Sequence, residues 1–238
     1  MTLVLERISR LTGTIELVSG LHIGAGDAEM HIGGIDNPVI KHPHTDEPYI
    51  PGSSLKGRTR SLLEWWSGAL TGDRPLGWKD RTHSRAAETI LKLFGISGGD
   101  QVSADKMGDF GPCRLNFWDC PLEEDWLKAA REKDLPLTEA KFENSINRIS
   151  GTATNPRQTE RVPAGARFAF RLTIRRFKGD GEELLAMLAR GLRLLELDSL
   201  GGNGSRGYGK IRFDDLKLDG EDFRLPEDPF VEDAGKAA

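Results

Sequence analysis

The chain has 238 residues, of which 37% are hydrophobic, and a formal net charge of −4 at pH 7. This length and composition are sufficient for a packed core, in one large domain or two small ones. No apolar run is long enough to span a bilayer, and Glu6 and Arg7 interrupt the first short apolar stretch, so we expect a cytoplasmic protein with no membrane partner.

The N-terminal half of the chain has the patterns of one strand and two helices. Alternating apolar and polar residues predict the strand, and apolar residues three or four positions apart predict the helices. The predicted elements are a strand at residues 11–20, a helix that Ser53 or Ser54 caps and that ends near Gly68, and a helix at residues 84–94 that Gly95 ends.

The C-terminal half contains three further strands and one amphipathic helix. The strands are predicted at residues 113–119, 167–175 and 208–218, and the helix at residues 181–197. Residues 141–148 and 158–162 form two arms around a tip at 150–157 and are too polar to bury both faces. We therefore predict a projecting β-hairpin within an insertion between the second and third strands.

Without the insertions, the order strand, helix, strand, strand, helix, strand predicts an α+β fold. It is the modified ferredoxin-like βαββαβ core that RNA-recognition modules also use, here with an inserted lid region and the hairpin. The aromatic motif with which those modules stack bases is absent, so stacking on the sheet face is not predicted. We expect residues 1–220 to form one domain and residues 221–238 to form an acidic, flexible tail.

The charge is distributed unevenly along the chain. Residues 213–238 contain nine acidic and three basic residues, a net charge of −6, which leaves +2 for residues 1–212. Residues 52–60 and 203–212 each contain three basic residues and no acidic one. Because local basic segments determine phosphate affinity more than the overall charge does, the acidic balance does not exclude a nucleic-acid partner.

Residues 202–207 match the G-x-G-x-x-G pattern of dinucleotide-binding folds. In those folds the pattern follows a strand and opens a helix, whereas here it follows a helix and opens a strand. Two interpretations remain: a turn that needs positive φ angles, or a loop whose bare amides, with Arg206 and Lys210, approach phosphates. We favour the second.

Residues 52–59 imitate a Walker A loop, but Arg58 stands where the lysine should be and no Walker B strand accompanies it. An NTPase is therefore disfavoured. A helix N-terminus still presents free N–H groups and a partial positive charge that suit a phosphate. The alternative is an ordinary capped helix with solvated basic side chains.

Asp36 lies in a loop that glycine and proline residues bound. Taken alone it is a turn former, since catalysis would require neighbouring groups, a metal ion, or an RNA whose own 2′-OH is the nucleophile. His22 and His31 are candidate RNA contacts or proton-transfer groups, or else plain surface histidines. His42 and His44 could bind zinc, although solvated histidines are the commoner case.

Cys113 and Cys120 are the only cysteines. They have opposite parity on one predicted strand, so their side chains should point to opposite faces of the sheet. This arrangement excludes a disulfide framework and disfavours a cysteine zinc site.

Several segments in this order resemble the RAMP superfamily of CRISPR–Cas proteins. More closely, they resemble the repeated backbone subunit of type III-A (Csm) effector complexes. The matching segments are residues 20–24 (GLHIG), 35–40 (IDNPVI), 51–57 (PGSSLKG), 141–144 (KFEN), 155–158 (NPRQ), and 195–198 (LELD) running into 201–209 (GGNGSRGYG).

The resemblance implies several copies stacked along one CRISPR RNA, with other Csm subunits that include the large signalling subunit. It implies that Asp36 is catalytic and cuts complementary target RNA at regular intervals with Mg²⁺ or another divalent cation, and that residues 141–162 are a thumb that is wedged between guide and target. The RNA-binding residues of this hypothesis are His22, Ser53, Ser54, Lys56, Arg60, Arg148, Arg157, Asn203, Arg206, Tyr208 and Lys210.

Two alternatives stay open at this point. The chain could be a structural subunit that holds the guide RNA without cutting, or a stand-alone ribonuclease that processes precursor RNA without a metal. Mutation of Asp36 distinguishes the first alternative from a nuclease, and cutting by the isolated chain identifies the second.

Overall fold

The structure, a computed structural model, describes residues 3–26, 37–96, 103, 108 and 110–231. Asp36 and His31 therefore lie outside the described residues, as do residues 232–238. In chain order the elements are β1 (Leu5–Leu17), β2 (Tyr49–Ile50), α1 (Gly52–Ser67), α2 (Arg85–Phe94), β3 (Leu115–Phe117), β4 (Cys120–Pro121), α3 (Glu124–Glu132), β5 (Glu139–Ile146), β6 (Ala153–Arg161), β7 (Arg167–Phe177), α4 (Glu183–Leu197), β8 (Ile211–Leu218) and β9 (Glu221–Asp222).

The fold is a mixed α/β arrangement around an antiparallel sheet with the strand order β3-β7-β1-β8-β9. β1 is the central strand, because it pairs with β7 on one side and with β8 on the other. Leu11 lies opposite Leu172 of β7 and Leu218 of β8. The two short strands β2 and β4 pair with each other, and β5 pairs with β6.

The hydrophobic core lies on the sheet face that α1, α2 and α4 cover. Alternate residues of the sheet point into it, which is the period of two expected of a strand with one buried face. The largest fully buried side chains of the sheet are Leu11, Ile15, Leu17, Phe168 and Phe170. Among the described residues, no helix has both the length and the apolarity needed to cross a membrane.

The predicted second helix is confirmed in its limits and in its signals. The Ser84 hydroxyl accepts a hydrogen bond of 3.1 Å from the Ala87 N–H, and Gly95 ends the helix with φ at 91°. The first helix also ends at Gly68 as predicted, in the left-handed conformation. These signals are local, so the sequence displays them directly.

The predicted cap of α1 is wrong. Pro51 occupies the N-cap position, with φ at −61°, and neither serine side chain caps the helix. Proline fits here because it has no N–H to leave unsatisfied. Ser53 and Ser54 therefore lie inside the first turn rather than before it.

The predicted hairpin is present as β5 and β6, but its turn is displaced. Glu139 pairs with Arg161 at the base and Ile146 pairs with Ala153 at the far end, so the turn is formed by residues 147–152. The predicted tip at 150–157 had included the first half of β6. The strands β2, β4 and β9, of two residues each, and the nine-residue helix α3 were not predicted, because each is short.

Residues 221–231 continue the fold. Glu221 and Asp222 pair with β8, and the Arg190 Nε of α4 donates a hydrogen bond of 2.9 Å to the Pro229 carbonyl. The part of the expected tail that the structure describes thus lies against the sheet and α4.

The two cysteines do not share a strand. Cys113 precedes β3 and Cys120 begins β4, and both are free thiols. Burial raises the pKa of the Cys120 thiol to about 12. Cys120 is therefore a small apolar core residue and not a nucleophile.

Candidate nucleic-acid interface

The loop of residues 201–209, which we call the glycine loop, requires glycine at two positions. Gly201 and Gly209 have φ angles of 75° and 73°. A Cβ atom on Gly201 would lie 2.3 Å from the His22 carbonyl oxygen, and one on Gly209 would lie 1.9 Å from that of Leu200. Positive φ and close backbone approach both exclude a larger residue here, so these two glycines shape the loop.

The middle of the glycine loop is exposed and basic. Residues Gly204–Arg206 form a 3-10 turn that follows Asn203, which has φ at 60°. The first amides of such a turn have no partner within it. The side chain of Arg206 is 48% exposed, and Lys210 lines the groove beside the loop. This combination of amides and cations is suited to an anion.

The N-terminus of α1, the second predicted phosphate site, differs from the glycine loop. The Gly52 N–H donates a hydrogen bond of 2.8 Å to Oδ1 of Asp119, and the Ser54 N–H donates to the Pro51 carbonyl at 3.0 Å. A carboxylate of this chain therefore already occupies part of the helix N-terminus. Ser53 is exposed beside it.

The basic residues of α1 divide into internal and surface groups. Arg60 is internal: its guanidinium forms an ion pair of 2.7 Å with the buried Glu64 and donates to the carbonyls of Leu76 and Gly95. Its side chain is only 16% exposed, so Arg60 stabilises the fold. Lys56 is half-buried, with its Nζ 3.6 Å from the Cys113 sulfur.

Arg58 lines the groove beside the glycine loop, whereas the sequence analysis had named its neighbours Lys56 and Arg60 as RNA-binding residues. It forms an ion pair with Asp198, donates a hydrogen bond of 3.1 Å to the Ser199 carbonyl, and lies over the Trp65 ring. Its side chain is 31% exposed and lines the same groove as Lys210. The sequence contained one signal for this role, which is that Arg58 replaces the lysine of a Walker A loop.

Tyr208 is an anchor of the hairpin rather than a platform for a base. It is 1% exposed, and its hydroxyl donates a hydrogen bond of 3.2 Å to Glu143 of β5. The cations of Lys141 and Arg161 lie 4.3 and 5.2 Å from the centre of its ring. Burial, and then the Glu143 carboxylate, raise the pKa of the Tyr208 hydroxyl.

Glu143 joins the hairpin to the glycine loop. Besides Tyr208 it contacts Arg206, at 3.3 Å, and Arg157, at 3.8 Å. Burial of the Glu143 carboxylate opposes ionisation, but the Tyr208 hydroxyl and the nearby Lys141 and Arg206 cations outweigh it, so its pKa lies below the usual value. Two of the predicted RNA-binding arginines thus share one internal partner.

The base of the hairpin holds the segment that begins at Asn37. Asn37 bridges to Thr159 of β6, and the Glu160 N–H donates a hydrogen bond of 3.0 Å to the Asn37 carbonyl. The buried Glu160 carboxylate accepts from the Val39 N–H at 2.9 Å and pairs with Lys41 at 2.8 Å. Burial opposes its ionisation, but the hydrogen bonds from Lys41, Thr138 and Val39 hold the pKa of Glu160 below the usual value.

His22 belongs to the same base. Its Nδ1 lies 2.7 Å from the Glu160 carbonyl, and its own carbonyl accepts a hydrogen bond of 2.9 Å from the Gly202 N–H. His22 therefore connects the hairpin, the end of β1 and the glycine loop. The sequence missed Glu143 and Glu160, because polar residues in a polar hairpin show no signal for long-range pairing.

The far end of the hairpin is solvent-exposed on both faces. Arg148 and Arg157 are exposed, and so are the apolar side chains of Phe142, Ile146 and Ile149. Exposed apolar residues on a two-stranded hairpin indicate a surface that contacts another molecule.

In the part of the chain that the structure describes, no group of three or more His, Cys, Asp or Glu side chains could hold a metal ion. His42 and His44 are exposed, with their rings 5.5 Å apart in an edge-on arrangement. The two histidines thus have no third ligand within the described residues.

The model of the RAMP superfamily matches residues 14–212, from β1 to the start of β8. The chain belongs to the RAMP superfamily. A relative from Mycobacterium tuberculosis, named CRISPR system Cms endoribonuclease Csm3, is 42% identical over 222 residues, which cover 87% of this chain and 86% of the relative. A relative of the same name from Streptococcus thermophilus is 41% identical over 215 residues, which cover 87% of this chain and 88% of the relative.

Two solved structures share the RAMP fold of this chain. The Csm3–Csm4 subcomplex of a type III-A CRISPR–Cas interference complex contains a chain that is 30% identical, with a TM-score of 0.53 and coverage of 90% of this chain and 79% of that one. Csm3 of Methanopyrus kandleri has a TM-score of 0.56 at 24% identity, covering 90% of this chain and 76% of that one. The glycine loop and the hairpin base both lie inside the residues that the RAMP model matches.

Proposed function

We propose that this chain is an endoribonuclease subunit of a type III-A CRISPR interference complex in the cytoplasm. It binds CRISPR RNA, stacks with further copies of itself and with other Csm subunits, including the large signalling subunit, and cuts complementary target RNA at regular intervals. The observation that carries the proposal is the pair of relatives named Csm3 endoribonuclease, at 41 and 42% identity over 87% of this chain.

The fold supports the same proposal in finer detail. The strand order β8-β1-β7-β3, with α1 and α4 as crossovers, is what a modified ferredoxin-like βαββαβ core requires. We assign residues 1–220 to one RAMP domain with an inserted lid region, and residues 141–162 to a thumb. Residues 221–238 remain outside that domain in this assignment, although residues 221–231 lie against it.

We assign guide binding to the surface around the glycine loop. Asn203, Arg206 and Lys210 supply the loop side of the surface. The exposed Ser53, with Ser54, Lys56 and Arg58, supplies the α1 side. His22, whose carbonyl accepts from the Gly202 N–H, adjoins the loop side. Arg60 and Tyr208 act beneath this surface, because burial keeps both from direct contact with RNA. Arg148 and Arg157 supply the thumb contacts.

We assign cleavage to Asp36. Its covalent neighbour Asn37 is fixed at the base of the hairpin by Thr159 and Glu160, which supports a catalytic position between the thumb and the glycine loop. The 2′-oxygen of the target attacks the adjacent phosphorus and the bond to the 5′-oxygen breaks. The 5′-oxygen takes a proton from water, which leaves a 2′,3′-cyclic phosphate and a 5′-hydroxyl. The Asp36 carboxylate positions the 2′-OH or removes its proton, and the thumb unstacks the target so that the attack is in line.

A divalent cation fits this donor set. A single carboxylate together with RNA phosphate oxygens and water is the oxygen-rich, protein-poor environment that Mg²⁺ prefers. Asp36 and the substrate would hold it, and when bound it would stabilise the charge that develops on the phosphate.

The test uses the assembled complex with guide RNA, a labelled complementary target and Mg²⁺. Asp36→Ala should abolish the regularly spaced products while target affinity stays unchanged. Asp46→Asn is the matched control, since Asp46 is an exposed aspartate of the next turn with φ at 57°, which asparagine tolerates.

Retained cleavage by Asp36→Ala would refute the catalytic assignment. No cleavage by the wild type would leave the structural, guide-holding subunit, and loss of target binding in the variant would make Asp36 structural. Cutting of precursor RNA by the isolated chain without metal would identify a repeat-processing ribonuclease instead.

A further inference from the structure

The sheet face that the core helices leave open carries a row of basic residues. Thr12 of β1 lies opposite Arg171 of β7 on one side and Lys217 of β8 on the other. Arg10, two residues earlier on β1, lies on the same face, opposite Thr173. Arg10, Thr12, Arg171 and Lys217 are all exposed, whereas the alternate residues of these strands are buried. Three cations therefore surround one threonine on a flat surface.

None of the three cations has an ion-pair partner among the residues that the structure describes. The other end of the same face differs in this respect. There Arg212 pairs with Glu16 and Asp214, each at 2.9 Å, and Arg167 pairs with Glu123 at 3.1 Å. The fold thus forms ion pairs with the arginines near the glycine loop end of the sheet. Arg10 and Lys217 lie opposite Asp219 and Asp222 across the strands but form no ion pair with them among the described residues.

A tryptophan extends this row. The Trp118 N–H donates a hydrogen bond of 3.2 Å to the Arg171 carbonyl, so Trp118 continues the pairing of β3 with β7 by one residue. Phe117 faces the core, and alternation places Trp118 on the open face beside Arg171. Its side chain is 52% exposed. The sequence predicted no stacking on this face, because Trp118 does not belong to the aromatic motif of RNA-recognition modules.

The row runs Trp118, Arg171, Thr12, Lys217 across four adjacent strands, which is about 14 Å at the usual strand spacing. Unpaired like charges repel one another, and an exposed indole contributes little to folding, so the fold alone does not account for this arrangement. An aromatic face that can stack on a base, next to cations that can contact phosphates, is how proteins bind single-stranded nucleic acid.

We propose that this face, defined by Arg10, Trp118, Arg171 and Lys217 and called here the open-face patch, binds a single-stranded segment of RNA. The patch is separate from the guide-binding surface, because Thr12 is five residues from the end of β1, about 17 Å along the strand. The proposal goes beyond the proposed function and does not require it. Charge complementarity with a polyanion argues for the occupant, and the tryptophan favours RNA over an acidic protein segment.

The test measures binding of a fluorescein-labelled oligouridylate 12-mer to the full chain by anisotropy at several salt concentrations. Arg10→Glu, Arg171→Glu and Lys217→Glu are combined in one variant. The matched control combines Lys79→Glu, Lys128→Glu and Lys133→Glu, three exposed lysines without ion pairs among the described residues. Circular dichroism melting verifies that each variant folds.

The slope of log affinity against log salt should fall by about 2 in the patch variant and stay unchanged in the control, since each phosphate contact of a single strand contributes about 0.7. Trp118→Ala should weaken binding by about five- to a hundredfold at constant slope, and Trp118→Phe should restore most of the affinity. Ultraviolet crosslinking should place the RNA on the peptide that contains Trp118.

Equal slopes in the patch variant and the control would overturn the proposal, as would crosslinks confined to the glycine loop. If polyglutamate displaces the RNA and Trp118→Ala has no effect, the patch recognises charge alone and the occupant is an acidic protein. The oligouridylate requires neither guide nor cleavage, so failure here leaves the proposed function intact, and failure of Asp36→Ala leaves the patch intact.

Discussion

Two segments of this chain, residues 52–60 and the glycine loop, both contain glycine, serine and basic residues, and both were predicted to bind phosphate through backbone amides and nearby cations. In the first, the Gly52 N–H already donates to Asp119, and Arg60 is spent on Glu64 and two carbonyls. In the second, the glycines satisfy the backbone at the ends of the loop while its middle stays exposed.

The composition of a segment shows which N–H groups and basic side chains could donate to a phosphate, but not whether they already have partners within the protein. Availability depends on whether a distant part of the chain supplies an acceptor. Asp119 is 67 residues from Gly52, and no residue near Gly52 in the sequence predicts their hydrogen bond. The ends of the glycine loop are also held by remote acceptors, the carbonyls of His22 and Gly20, but the Arg206 side chain stays 48% exposed beside its partner Glu143. The following changes separate structural from ligand-binding donors.

The largest effect is expected for Arg60→Gln. It removes the counter-ion of Glu64, whose side chain is only 5% exposed and would then keep only the Leu76 N–H as a donor. The free energy of unfolding should fall by about 3–5 kcal/mol, measured in urea. Arg74→Gln, at an exposed position, should change it by less than about 0.5 kcal/mol. If Arg60→Gln lowered the free energy of unfolding as little as Arg74→Gln does, Arg60 would be a surface residue rather than an internal one.

Gly209→Ala should be next in size. The alanine Cβ would clash with the Leu200 carbonyl oxygen, and the residue would keep a positive φ. We therefore expect the free energy of unfolding to fall by about 2–4 kcal/mol. Gly207→Ala is the control, because its φ is 83° but nothing lies within 4 Å of the added Cβ. It should lose only about 1–2 kcal/mol. Equal losses would show that close approach contributes nothing.

Asp119→Ala should cost less, about 0.5–2 kcal/mol, which is typical of a lost helix cap. The variant also frees the Gly52 N–H, so the N-terminus of α1 should gain affinity for phosphate or RNA in a filter-binding assay. Asp119→Asn keeps an acceptor oxygen and should lie between the variant and the wild type in stability. If Asp119→Ala were as stable as the wild type, the carboxylate would not be a cap.

The smallest effect on stability is expected for Arg206→Gln. Arg206 is half-exposed, so the free energy of unfolding should change by less than about 0.5 kcal/mol. The salt dependence of guide RNA binding should nevertheless fall by about 0.7 in slope. If the slope of log affinity against log salt did not change, Arg206 would not contact the RNA. The glycine loop would then offer no more donors to RNA than residues 52–60 do.

The sequence predicted those elements whose signals are local. Ser84 and Gly95 delimit α2, and the alternation in β7 identifies its buried face, because caps and periodicity depend on neighbours in the chain. It failed where the decisive partner is remote. Tyr208 was included among the RNA contacts because its loop resembles that of the RAMP family, whereas the structure buries it against Glu143 of the hairpin.

The same reason explains which parts of the candidate site were found. The glycine loop and the hairpin were predicted, since each is a continuous segment with its own pattern. The network that joins them through His22, Glu143 and Glu160 was not, because it connects three separate segments. Composition identified Arg206 and Lys210 as exposed basic residues but could not separate them from the internal Arg60.

The central position of β1 has a consequence for how the chain is made. β1 precedes the other strands of its sheet along the chain, yet its partners β7 and β8 begin at Arg167 and Ile211. At about 5–20 residues per second, roughly 150 residues must be translated before β7 exists, which takes about 8–30 s. Pairing across such sequence separations is also slow because loop closure must come first. The nascent sheet therefore waits with its central strand unpaired, and its exposed apolar face is prone to aggregation during that interval.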